Sequence, residues 1–113
     1  MNERLIPFAE FTVAAQADAD GVGGTTYVPT AILFTHISHS LVFTGTPTAE
    51  TIDIQDDGTD IDAARDVSTP GLATLTTPVR IASGSAIECD LNLTAGSTPK
   101  ATGRIVLWGL VAE

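Results

Sequence analysis

Apolar residues occupy every second position from Ile87 to Leu93, with Glu88, Asp90 and Asn92 between them. That is the two-residue period of a strand with one buried and one wet face. The same grammar recurs along the chain. Residues 51–55 set Ile52 and Ile54 against Thr51, Asp53 and Gln55, and Asp57-Gly58 supplies hairpin-turn chemistry just after them. Residues 72–77 and 79–82 read as further strands, Ser83-Gly84-Ser85 as the turn into residues 86–94, and Thr69-Pro70-Gly71 as a type II turn. Asp60 is placed to cap one helical turn over residues 61–65.

Two stretches break the alternation. In residues 2–15, Leu5, Ile6, Phe8, Phe11 and Val13 cluster around Pro7. Proline has no N–H to give to a ladder, which confines this piece to an edge strand or an extended arm. In residues 104–111, Ile105, Val106, Leu107, Trp108, Leu110 and Val111 leave neither face polar, the pattern of a strand buried on both sides. Between these stretches, residues 16–24 form a loop, 25–28 and 31–44 are β-rich with a bend near 38–40, and 95–102 form a second loop.

About seven to nine short strands, with Gly or Pro at nearly every junction, predict an all-β chain. The expected architecture is a single β-sandwich, jelly-roll-like, over residues 16–113, with an N-terminal arm or edge strand over residues 1–15. A length of 113 residues suits one domain with its own core.

Charge removes one class of partner. Fourteen acidic against five basic side chains give a formal charge of −9, which repels a phosphate backbone, so no nucleic-acid partner is expected. The first residues lack the basic and long apolar regions of a secretory signal, and the longest apolar run, residues 105–112, is less than half a membrane span. No membrane partner is expected either. Cys89, the only cysteine, lies on the apolar side of its strand and reads as a small buried hydrophobe.

The residues that could carry chemistry do not form a recognisable kit. Residues 50–66 hold seven carboxylates, and calcium is the obvious ligand for such a segment. With Gly58 at the glycine of a helix-loop-helix calcium loop, Ile61 falls at a ligand position and Ala64 replaces the bidentate glutamate, so that match fails. A looser site on Asp56, Asp57 and Asp60 competes with an ordinary solvated hairpin. His36 and His39 are three apart on a strand-like stretch, which sends them to opposite faces and away from a shared metal. Ser83 and Ser85 flank Gly84 without a nucleophile elbow, and residues 21–24 lack the lysine of a phosphate loop. Asn92-Leu93-Thr94 is a formal glycosylation sequon only. The expectation is a protein that is not an enzyme, with no catalytic residues, no metal and no cofactor.

The apolar N-terminal segment, the threonine-rich strands, the run Thr51-Ile-Asp-Ile-Gln-Asp-Asp-Gly58 and the stretch from Leu72-Ala-Thr-Leu to Leu107-Trp108-Gly109-Leu110 together resemble head decoration (cement) proteins of tailed bacteriophages. The resemblance implies a jelly-roll or related sandwich, assembled as dimers or trimers. It implies a place on the outer surface of an icosahedral head after assembly in the host cytoplasm, with the major capsid protein as partner.

On that basis Leu5, Ile6, Phe8, Phe11 and Val13 are the expected shell-binding residues, by strand addition and apolar burial. Val106, Trp108 and Leu110 are the expected oligomer contact. The rival expectation is a tail or fibre module that binds a host glycan or another virion protein, with Trp108 and exposed acids as the recognition groups.

Overall fold

The computed structural model describes residues 4–111; residues 1–3 of the expected arm, and Ala112 of the long apolar run, lie outside the described residues. Among the described residues nine strands follow in chain order: β1 (Ile6–Gln16), β2 (Thr26–Tyr27), β3 (Ile32–His39), β4 (Val42–Thr44), β5 (Ala49–Asp56), β6 (Thr59–Asp66), β7 (Gly71–Ile81), β8 (Ala86–Thr94) and β9 (Lys100–Val111). They form two sheets. Sheet A has the order β1-β9-β3-β7, with β4 also pairing β9, and sheet B has the order β2-β8-β5-β6.

The antiparallel pairs β1·β9, β2·β8, β3·β7 and β5·β6 are nested one inside the next, and successive pairs fall in alternate sheets. The chain is thus one long hairpin wound around its own core. Phe11, Phe34, Ile105 and Leu107 from sheet A meet Ile52, Ile54, Ile87 and Leu91 from sheet B, all fully buried. Each such side chain contributes on the order of 1.5–3 kcal/mol over its exposed state, which is what holds the sheets face to face.

Local chemistry explains the joints. Asp57 and Gly58 have φ of 49° and 85°, the two positive values that a tight two-residue hairpin needs to match strand twist. Gly109 is glycine for a different reason. A Cβ there would run into the Leu33 carbonyl and the Ile32 side chain, because β9 lies between β1 and β3 with another backbone close by.

Three local expectations are corrected. Residues 61–65 form no helical turn; they lie within β6, since a one-turn helix carries its nucleation cost alone whereas pairing with β5 supplies a ladder. The carboxylate of Asp60 accepts from Gln55 Nε2 at 3.1 Å and caps nothing. Gly71 has a φ of 145°, well beyond the value of about 80° in a type II turn, so residues 68–70 form an open bend into β7. Residues 72–77 and 79–82 join across Pro78 in the single edge strand β7, which extends to Ile81.

Candidate interaction surface

The register of sheet A decides which side chains share its outer face. Trp108 lies between Pro7 of β1 and His36 of β3, Val106 between Glu10 and Ser38, and Leu110 beside Leu33. From β7, Leu72 lies opposite Ser38 and Arg80 opposite Leu33, while Val42 of β4 lies opposite Thr102. Trp108, Val106, Leu110 and Leu33 are half-buried by one another, and Val42 and Leu72 are 65% and 62% exposed. The indole N–H of Trp108 donates to Ser38 Oγ at 2.8 Å, which fixes the ring against the sheet. One ion pair, Arg104 Nε to Glu10 Oε1 at 2.7 Å, crosses from β9 to β1 at the solvent surface.

The outer side of sheet B has the opposite character. Asp53 accepts from Ala64 N at 2.6 Å and from Asn92 Nδ2 at 3.0 Å, tying β5 to both neighbours. Asp90 accepts from Gly21 N and from Gln55 Nε2, each at 2.9 Å, and the loop that supplies Gly21 leaves this carboxylate only 8% exposed. Asp57 takes the Ala86 N–H, Asp66 the Ser68 N–H, and Arg65 pairs with Asp62. Among the described residues, no three His, Cys, Asp or Glu side chains converge as metal ligands. Among the acids of residues 50–66, Asp53 and Asp60 accept across the β5–β6 hairpin and Asp57, Asp62 and Asp66 accept elsewhere, while Asp56 keeps one buried oxygen without a partner among the described residues.

The sequence-predicted residues separate accordingly. Phe11 and Val13 are 0% and 2% exposed inside the chain's own core, and Phe8 packs edge-to-face on Phe34 with ring centroids 5.5 Å apart. Ile6 also packs on that core, and Leu5 is half-buried. The ladder partner of β1 is supplied within the chain, by β9, and Phe11 and Val13 lie enclosed in the chain's own core. The border expected at residue 15 falls inside β1. Val106, Trp108 and Leu110 do share one outward face. Of the acids invoked for a glycan site, Glu10 shares the outer face of sheet A with Trp108, whereas those of residues 50–66 belong to the segment of sheet B. Leu33 and Leu72 belong to the outer patch and Val42 lies opposite Thr102 at its far end, but none carried a signal of it, since only non-local register aligns them with the outward residues of β9.

His36 and His39 lie on opposite faces of β3. His36 Nδ1 is 2.8 Å from Thr35 Oγ1, and His39 Nδ1 accepts from Leu41 N at 3.2 Å. Burial lowers the His39 pKa below its ordinary 6.5, against smaller raising effects of the Thr69 backbone and the Asp66 charge. Asp66 is held below its ordinary range by the Ser68 hydroxyl and N–H. Burial and the neighbouring Asp90 and Asp53 charges push the Cys89 thiol up to about 12, leaving it inert as a nucleophile. Two shallow clefts, of about 120 Å³ beside His39 and Arg65 and about 230 Å³ beside Glu50 and Ser68, are both smaller than ordinary ligand pockets of roughly 300–1,000 Å³. No known protein family, curated protein or solved structure matches the chain. The outer face of sheet A is thus the candidate site on physical grounds alone.

Proposed function

We propose that this protein is a structural virion component that binds the outer surface of an icosahedral tailed-phage head as a homo-oligomer and stabilises the capsid. The observation that carries the reading is the division into two unlike outer faces. A protein that lives between a shell and solvent needs one face to be covered and one to stay wet, and an apolar sheet face opposite an acidic one meets that need. The nested pairing supports a jelly-roll path as well. With Phe11 and Val13 enclosed, contact with the major capsid protein passes from the N-terminal segment to the outer face of sheet A. Self-association then falls to the outer edge of β1, which among the described residues pairs on one side only.

Many weak contacts made by one bound oligomer act at high effective concentration, so modest patches can give firm attachment. The test is co-sedimentation of purified protein with undecorated tailed-phage heads and, separately, with host cells. Binding to heads at a fixed ratio to the capsid protein, with a higher temperature of head disruption, is the expected result. Binding to cells alone would overturn the proposal in favour of a tail or fibre module.

A further inference from the structure

Charge is divided between the two sheets more sharply than composition suggests. The strands of sheet A carry Arg80, Lys100 and Arg104 against the single acid Glu10. Those of sheet B carry Arg65 against Glu50, Asp53, Asp56, Asp60, Asp62, Asp66, Glu88 and Asp90. We infer that the outer face of sheet A is covered in use by a protein surface with an apolar centre and a carboxylate rim, while sheet B stays in solvent. The face assignment stands on the geometry; only the identity of the covering surface as a phage shell rests on the function proposed above.

Three observations lead there. Arg80 and Lys100 are exposed and, among the described residues, have no ion-pair partner. Arg80 lies in the row of Leu33 and Leu110 and Lys100 at the start of β9, roughly 30 Å away at about 3.3 Å per strand residue. Bases thus stand at both ends of the apolar strip. The acids of sheet B belong to a second sheet about 10 Å from the first, beyond the screening length of about 8 Å at physiological salt. An approaching surface therefore meets the bases and not the net charge of −9. Finally, principal extents of 48 × 23 × 21 Å give the face room for the roughly 800 Å² that each partner of a standard interface contributes.

Charge also selects the occupant. A second copy meeting this face with its own would oppose like charges, and the acidic face of a second copy lacks an apolar centre. An anionic bilayer would meet the bases, but Trp108, Val106 and Leu110 are half-buried within the sheet and do not protrude as membrane-inserting groups do.

The chain carries its own reporters: its only tryptophan, Trp108, is on sheet A, and its only tyrosine, Tyr27, is 69% exposed on β2 of sheet B. Wild-type protein is bound to undecorated heads and to a monolayer of mixed methyl- and carboxylate-terminated chains. Trp108 oxidation by N-bromosuccinimide and Tyr27 nitration by tetranitromethane are then read by peptide mass spectrometry, against phosphatidylserine vesicles as a third surface. The expected result on heads and monolayer is at least tenfold slower Trp108 oxidation with Tyr27 nitration within twofold of the free protein. Arg80→Glu combined with Lys100→Glu, both at exposed positions and checked for native circular dichroism, weakens binding at least tenfold and flattens its salt dependence. Protection of Tyr27 in place of Trp108, or preference for the vesicles, overturns the inference. Binding to the monolayer through Trp108 but not to heads overturns the head-binding function and leaves the face assignment standing. Binding to neither surface overturns both.

Discussion

The outer faces of the two sheets are built by the same two-residue period and end up chemically unlike. On sheet B the outward residues Asp53, Gln55, Asp90 and Asn92 bond one another and the backbone, so the polar half of the alternation is occupied by a network. On sheet A the outward residues of β9 beyond Arg104 are Val106, Trp108 and Leu110, and their neighbours include Pro7, Leu33 and Leu72. A strand face that is not core need not be wet. Departure from alternation in a strand whose other face is already filled marks surface that something else can cover.

The sharpest break in this comparison is between inward and outward apolar side chains. Phe11→Ala is expected to cost about 3–5 kcal/mol in urea unfolding, whereas Leu72→Ala stays within about 0.5 kcal/mol. A near-zero cost at Phe11 would return β1 to the status of a detachable arm. On sheet B, Asp90→Ala strands the Gly21 N–H and leaves the Gln55 amide with Asp60 alone, and should cost about 1.5–3 kcal/mol; a neutral result would reduce the network to solvated decoration. Gly109→Ala forces a Cβ into the Leu33 carbonyl and should cost about 1–3 kcal/mol by overpacking, unless β3 yields at its bulge between Phe34 and His36.

Acid should loosen the end of the sandwich where His39 lies against Asp66 and Thr69. Because burial lowers the folded-state pKa, the unfolded chain takes up the proton first. The stability contributed by the neutral ring is therefore complete above about pH 6.5 and is lost as pH falls through that value towards the folded pKa. The melting temperature of wild type should drop between pH 7.5 and 5.5, and less so in His39→Gln; a flat profile would refute the assignment. Asp66, lowered from 3.8, contributes in a separate window, its share being lost only on further acidification. The smallest effect is expected at Cys89, which should resist thiol reagents in the native protein and react only at the rate of opening.

Legibility in the sequence followed locality. The strand Ala86–Thr94 and the Asp57-Gly58 turn are where period and turn chemistry put them. The helical turn over residues 61–65 fails because a cap at Asp60 is a local signal, whereas the donor from Ala64 to Asp53 and the ladder to β5 are not. The apolar stretch of residues 2–15 announced an unusual surface but could not say whose core it completes. Val106, Trp108 and Leu110 were visible as excess apolar residues. Their companions Leu33, Val42 and Leu72 were not, since each belongs to a different strand with its own alternation.

Sequence by itself determined the all-β class, most strand positions, the tight turns and the inward set of β8, because these depend on side-chain period and on backbone preferences within a few residues. Only the tertiary structure decided that β9 lies between β1 and β3, that Phe11 and Val13 close the chain's own core, and that bases and acids divide between two sheets. Those outcomes depend on register between strands far apart in the chain. Register is chosen by the joint burial of all the inward faces at once, which no single stretch encodes.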